Sequence, residues 1–365
     1  MFNNVFKNKV VIVTGHTGFK GSWLIIWLKM LGAKVVGISL DPLSQPSHYE
    51  LIKTHVDMID LRIDVRDKIK IENEILKANP DFVFHLAAQA LVKYSYENPI
   101  ETWDTNVIGT ANVLEALKKI NKKCTSIFIT SDKCYRNVEW IWGYRENDTL
   151  GGIDPYSASK AAAEILIHSY TKSFFSSEFN LVQIGSARAG NVIGGGDWSS
   201  DRLIPDCVKA WSKNETVVLR NPNSTRPWQH VLEPISGYLL QAATLSSDKN
   251  LHGEAFNFGP HNEANHSVLD VVKQMALDWD LVKWHDASQE IINKHHEAGL
   301  LKLNCDKALS LLNWKPTMSF VETVKMTSDW YKSYYKDPKL IYSKSIEQIN
   351  LYSNLAKHRD ANWTI

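Results

Sequence analysis

One short stretch constrains this chain more than any other: Thr14-Gly15-His16-Thr17-Gly18-Phe19-Lys20-Gly21. It follows Val10–Thr14, an apolar and β-branched run, and leads into Phe19–Leu31, where apolar residues recur at helical spacing. Three glycines spaced G-x-x-G-x-x-G between a strand and a helix permit a turn that most side chains would block. Gly15 allows the turn itself, Gly18 leaves the backbone open to close approach, and Gly21 lets the helix lie tight on the strand. Parallel strands need a crossover connection, so a strand feeding a helix through such a turn reads as the first unit of a parallel sheet.

The alternation continues. Val35–Leu40 and Met58–Ile63 read as strands, and Arg66–Ala78 as a polar-faced helix. Phe82–Ala87 is apolar on successive positions, as in a strand covered on both faces. Pro99–Lys118 is predicted as one long helix with Trp103, Val107, Thr110, Leu114 and Leu117 along one side. Ser126–Thr130 is another buried strand. Asp154 and Pro155 form an N-cap and first helical position for a helix running to about Phe175, and Leu181–Ala187 is a further strand. The predicted fold class is α/β: a Rossmann-type doubly wound parallel sheet over roughly 190 residues, joined to a smaller mixed α/β lobe. The boundaries are 1–187 for the first lobe, with a return of the chain around 231–260, and 188–365 mainly for the second. Turn-rich strings such as Gly194-Gly195-Gly196-Asp197 mark the change. Tyr342–Ile365 is polar, with few apolar anchors, and reads as a surface helix or a partly ordered tail.

Composition narrows the function. Forty-one basic and forty acidic residues leave a net charge of +1. That argues against a nucleic-acid binder or an anionic-membrane binder. No apolar run approaches the ~20 residues of a membrane span. Met1–Lys9 lacks an apolar signal region. The cysteines Cys124, Cys134, Cys207 and Cys305 lie far apart, which reads as reduced thiols in a cytoplasmic protein. His295-His296 has no acidic or cysteine partner at ligand spacing, so no metal site is predicted. Thirteen tryptophans are roughly twice ordinary usage.

The chemistry starts at the glycine loop. A pyrophosphate bound at Gly15, Thr17, Gly18, Phe19 and Gly21 would sit on a helix N-terminus. Asp41 ends the second strand, where a carboxylate accepts both ribose hydroxyls of an adenosine; the alternative is that Asp41-Pro42 only opens a turn. No arginine lies between Gly32 and Leu61 to hold a 2′-phosphate, which favours NAD over NADP. Asp64-Val65, after the third strand, is placed for the adenine edge. Tyr156 and Lys160 stand at i and i+4, on one helix face. A tyrosine of pKa near ~10 is a poor base at neutral pH, and a neighbouring ammonium favours its phenolate. A hydroxyl of Thr130-Ser131, ending a buried strand, is positioned to share a substrate proton.

Together with Leu86-Ala87-Ala88-Gln89 and Asn106, these residues resemble the extended short-chain dehydrogenases/reductases, from about Lys9 to Tyr335. Longer strings narrow the likeness to the CDP-glucose branch of the nucleotide-sugar 4,6-dehydratases: Ser131-Asp132-Lys133-Cys134-Tyr135, Gly143–Asp148, Arg188–Trp198 and Arg226–Val231. The resemblance implies a redox cycle on CDP-D-glucose. C4 is oxidised with hydride passing to NAD, water leaves across C5–C6, and hydride returns to C6. It implies Tyr156 as the base, Asn106 as a support of the site, and Lys160 and Gln89 at the cofactor, with Gln89 also near the sugar. Asp132 fits the acid for the C6 hydroxyl. Lys133 fits the C5 base only when neutral; as a cation it would stabilise an enolate instead. Arg188, Asn191, Arg220, Arg226 and His230 are candidates for the nucleotide end, and Trp142, Tyr144, Trp198 and Trp228 for walls around the sugar or base. Relatives suggest a homodimer, perhaps a tetramer, and a deoxysugar destined for surface polysaccharide. The competing readings are a 4-epimerase or dehydrogenase on the same scaffold, and a non-catalytic NAD-bound sensor.

Overall fold

In a computed structural model, described for residues 1–261, 266–280, 282–288 and 300–365, the alternating segments become six parallel strands. They are β1 (Val10–Thr14), β2 (Lys34–Ser39), β3 (Ile59–Arg62), β4 (Phe82–His85), β5 (Cys124–Ile129) and β6 (Val182–Arg188). A seventh strand, Ala255–Asn257, pairs in parallel with β6. The order is Ala255–Asn257, β6, β5, β4, β1, β2, β3. Strand order therefore reverses at the seam between β1 and β4, and a doubly wound sheet opens its ligand crevice at such a seam.

That seam is tied by side chains. Register pairs Thr14 with His85. The Thr14 hydroxyl lies 2.8 Å from Nδ1 of His85 and accepts the backbone N–H groups of Leu86 and Ala87 at 3.1 and 3.2 Å. Nε2 of His85 meets the Thr110 hydroxyl at 3.1 Å, which brings the helix behind the sheet into register.

That helix departs from its expected form. Pro99–Trp103 and Gly109–Leu117 are joined by a π turn, Asp104–Ile108. The wider turn holds Asn106 inward, 2% exposed. Its Oδ1 accepts from the Gln89 amide at 2.8 Å, and its Nδ2 donates to the Gln89 carbonyl at 3.0 Å and the Ser159 hydroxyl at 2.8 Å. One side chain thus links the loop after β4 to the Pro155–Phe174 helix.

The second lobe consists of short pairings: Val192–Ile193 with Gln229–His230, Thr225–Arg226 with His266–Ser267, and Val217–Leu219 with Trp284–Asp286. The last segment is an ordered helix, Ile341–His358. Its buried Ile341, Ser345, Ile349, Tyr352 and Ala356 face the first lobe. It covers the Phe19–Met30 helix, where Trp27 meets Tyr352 and Trp363 at 5.8 and 5.7 Å between ring centres. Trp363 stacks on Phe2 at 5.1 Å, and the Asn3 amide donates to the Ile365 carbonyl. These contacts explain much of the tryptophan excess: Trp23, Trp27, Trp211, Trp314 and Trp330 are all fully buried. Large rings fill the gap between helices where aliphatic side chains would leave voids.

At the end of β6, Arg188 is 4% exposed and donates to Glu164 at 2.7 Å, to the Tyr135 hydroxyl at 2.7 Å and to the Glu146 carbonyl at 3.0 Å. Glu164 also accepts from Thr130 and from Ser186. Burial alone would raise this carboxyl; the Arg188 charge and the three hydrogen bonds hold it below its ordinary value. Arg188→Ala would strand a buried carboxylate and should cost about 3–5 kcal/mol. Thermal melts check this: the single variant should melt well below wild type, and Arg188→Met combined with Glu164→Gln should recover much of the loss.

Candidate active site

The glycine loop has the shape its spacing predicts. Gly15 takes φ +74°, and a Cβ there would lie 2.7 Å from the Ala87 amide nitrogen across the β1–β4 seam. A Cβ on Gly21 would lie 2.1 Å from the Gly15 carbonyl oxygen, so helix and turn touch directly. Over Gly18 a Cβ would meet only the Gly15 oxygen, at 3.3 Å. Gly18 is also the N-cap of the Phe19–Met30 helix, and no side chain fills that cap. The open surface and uncapped first turn fit a pyrophosphate. Thr17 points the other way: its hydroxyl donates to the Leu40 carbonyl at 2.9 Å and meets Ser39 at 2.7 Å, fixing the loop on β2.

The adenosine corner holds a residue that the sequence reading passed over. Asp41 is exposed and lies 3.1 Å from Nε of Arg62. Arg62 directly follows Leu61, outside the arginine-free stretch Gly32–Leu61, and β2–β3 register sets it opposite Ser39. Asp60 also binds this guanidinium, at 2.9 Å. Two carboxylates on one guanidinium leave no uncompensated cation for a 2′-phosphate. Asp64 is held by Arg66 at 2.6 Å. Val65 is buried, and its carbonyl accepts from Asn112 at 2.9 Å.

Around the reacting centre, the structure distinguishes the two hydroxyls at the end of β5. Thr130 turns into the core toward Glu164. Ser131 lies beside the Tyr156 phenol, whose ionisation it favours, and donates to Oδ1 of Asp132 at 2.9 Å. Burial pushes the Tyr156 phenol up to about 12, while Ser131 and Arg202 work in the opposite direction. Burial likewise pushes the Lys160 ammonium down to about 8, against the pull of Glu164. The i, i+4 spacing does put both on one helix, yet Ser131 rather than Lys160 is the group that favours the phenolate. Asp132 is buried and Lys133 exposed, on one short turn whose N-cap is Ser131. The Lys133 side chain has no partner among the described residues.

Two further cations face this space. Lys20, in the first turn after the glycine loop, is pushed down to about 8 by burial and by Arg202, with Asp132 and Asp197 opposing. Arg202 pairs with Asp197 at 2.8 Å. Lys20 was visible inside the loop motif, but nothing in the sequence shows that Arg202 and Asp132 lie near it.

Other expected residues are placed elsewhere. Arg188 is committed to the Glu164 pair, because the end of β6 lies in the core rather than at the crevice. His230 is fully buried against Trp23, with its imidazole pushed down to about 3 by desolvation, so it stays neutral and packs. Arg220 is exposed, 3.8 Å from Asp201. Asn191 takes φ +49° and is half-buried. Arg226 donates to the Thr225 carbonyl beside the His266–Ser267 pairing. Gln89 spends its amide on Leu91 and Thr102. Trp198 packs on Tyr331 and Tyr334, Tyr144 is buried on Tyr135, and Trp228 donates to the His266 carbonyl. Trp142 is 66% exposed. His295-His296 lies outside the described residues.

A family model described as GDP-mannose 4,6 dehydratase matches residues 12–327. The chain belongs to that family. Within the same superfamily, a CDP-glucose 4,6-dehydratase of Salmonella typhimurium is 46% identical over 347 residues, covering 93% of this chain and 96% of the relative. The fold matches UDP-glucose-4-epimerase of Stenotrophomonas maltophila with bound NAD and formylated UDP-arabinopyranose, at TM-score 0.78 and 20% identity, over 90% of this chain and 99% of that one. It also matches dTDP-glucose 4,6-dehydratase of Bacillus anthracis in complex with NAD, at TM-score 0.70 and 22% identity, over 89% and 97%.

The Lys160 environment has a measurable consequence. Its amine titrates near 8 in the fold against an ordinary 10.5. Between those values the unfolded chain binds more protons, so this group makes stability rise with pH across that window. Melting curves of wild type and Lys160→Met from pH 8 to 10.5 should differ most at the low-pH end, where the buried ammonium penalises wild type, and close toward pH 10.5 as that penalty is relieved.

Proposed function

We propose that this family member is a hydro-lyase that converts CDP-D-glucose to CDP-4-dehydro-6-deoxy-D-glucose and water with tightly held NAD. The observation that carries the reading is Asp132: a buried carboxyl group that accepts from Ser131, the residue beside the Tyr156 phenol. An epimerase or a simple dehydrogenase has no use for an acid at that point. The 46% identity to a CDP-glucose 4,6-dehydratase supports the choice of nucleotide.

The residues divide the work as follows. Tyr156, relayed through Ser131, takes the proton of the sugar 4-hydroxyl as C4 is oxidised. NAD, when bound on the glycine loop with Asp41 at its ribose, supplies a reversible hydride acceptor. The new 4-keto group acidifies the C5 proton. Asp132 donates a proton to the C6 hydroxyl, which leaves as water. Lys133 either removes the C5 proton as a neutral amine or holds the enolate as a cation. Asn106 keeps the loop after β4 and the Tyr156 helix in register. Asn191 and Arg226, with Arg220 at the rim, meet the CDP end in the lobe built from residue 188 onward.

The two long helices leave Ile100, Ile108, Ile165 and Phe174 exposed. These favour a homodimer across a four-helix seam, with a tetramer as an extension of it. The four free cysteines suit a reducing cytoplasm, and the product suits deoxysugar synthesis for surface polysaccharide.

Incubation with CDP-glucose and NAD in deuterated water tests the reaction. The expected product is a 4-keto-6-deoxy sugar carrying deuterium at C5. A 4-keto-6-hydroxy product with accumulating reduced cofactor would establish a dehydrogenase instead, and CDP-galactose an epimerase. Tyr156→Phe should lower turnover by roughly 10²–10⁴ while cofactor binding persists.

A further inference from the structure

Gly190 follows Arg188-Ala189 in the loop leaving β6, and its conformation does not by itself call for glycine. Its φ lies outside the left-handed region, unlike that of Gly15. The requirement is spatial. A Cβ built on Gly190 would fall 1.7 Å from Oδ2 of Asp132, 2.0 Å from its Cγ and 2.4 Å from Oδ1. The carboxyl group of Asp132 therefore occupies the volume that any side chain at 190 would need.

The surrounding contacts leave neither partner free to give way. Oδ1 of Asp132 is held by the Ser131 hydroxyl at 2.9 Å. The Asp132 amide donates to the Ala189 carbonyl at 3.4 Å, joining the two segments next to the contact. On the other side, Nε2 of Gln229 donates to the Gly190 carbonyl at 3.0 Å and to the Phe258 carbonyl at 2.9 Å. Gln229 is 1% exposed, so this clamp is part of the core. A methyl at 190 can be accommodated only if the carboxyl group rotates off Ser131, away from the Tyr156 phenol, or if the clamped loop shifts.

We propose that Gly190 is a positioning residue for the elimination half of the reaction: its missing side chain is the seat of the Asp132 carboxyl. This rests on the reading of Asp132 as the acid at C6. Oxidation at C4 belongs to Tyr156, whereas the atoms that a Cβ at 190 would meet first are all of Asp132, so the two half-reactions should separate on substitution. A displaced acid loses its line to the leaving hydroxyl, and displacements of this size typically cost about 100-fold.

The test uses the full-length holoenzyme and two readouts. With CDP-glucose, Gly190→Ala should lower dehydration about 100-fold. With CDP-6-deoxyglucose, which has no C6 hydroxyl to lose, the variant should still reduce bound NAD at near the wild-type rate, seen as reduced-nicotinamide absorbance. Equal losses in both assays, or wild-type dehydration, would overturn the proposal. Melting of Gly190→Ala, Asp132→Ala and the double variant supplies the second readout, independent of any substrate. Removing the carboxyl makes room for the methyl, so the double variant should melt no lower than Asp132→Ala alone. Additive losses would overturn the contact itself. A wild-type enzyme that leaves CDP-glucose unchanged would instead sink the proposed reaction, with the melting cycle still deciding whether Gly190 seats the carboxyl.

Discussion

Everything in the first lobe depends on how closely two backbone segments meet at the β1–β4 seam. The Gly15 turn passes so near Leu86 and Ala87 that no Cβ fits between them. The Thr14 hydroxyl then accepts from the amides of Leu86 and Ala87, and the Leu86 amide also reaches the Thr14 carbonyl. This contact fixes where the first helix begins, and so where a pyrophosphate can be held. It also fixes the start of the loop that reaches Gln89, and through Asn106 the position of the helix bearing Tyr156 and Lys160. The cofactor cradle and the reacting residues are thus set by one junction rather than by separate devices.

Burial shapes the chemistry on this frame. Tyr156 and Lys160 are both driven toward their neutral forms by desolvation. A site with few waters makes each remaining charge count for more. Lys20, Arg202, Asp132 and Asp197 gather around the same space, and a bound dinucleotide and sugar nucleotide would add anionic charge to it. The near-zero net charge of the chain therefore coexists with a crevice where basic and acidic groups are concentrated.

Much of this was legible in the residues. Period and glycine spacing located six strands to within a few positions, because most of them are covered on both faces and apolar throughout, β3 at the sheet edge being the exposed exception. The edge strand Ala255–Asn257 is only three residues long, too short to show a period. The π turn escaped notice because a five-residue widening leaves the apolar stripe of Pro99–Lys118 nearly intact. At the site, motifs picked out Ser131, Asp132 and Tyr156, which are neighbours in space as well as in pattern. Arg62, Lys20 and Arg202 carry no motif of their own: strand register sets Arg62 beside Asp41, and lobe packing brings Lys20 and Arg202 together. Arg188 and His230 show the converse. Both sit in motif strings, yet one neutralises a buried carboxylate and the other fills the core.

The aromatic seal over the Phe19–Met30 helix bears on how the chain is made. Trp27 belongs to the first βα unit, but its cover comes from Tyr352 and Trp363, more than three hundred residues later. During synthesis the first helix leaves the ribosome with a broad apolar face and nothing to lay against it. Closing so long a loop is slow, and exposed apolar surface invites association in the meantime. The nucleotide-binding half is therefore the first part translated and among the last to be completed, which makes nascent chains of this protein natural clients for chaperones.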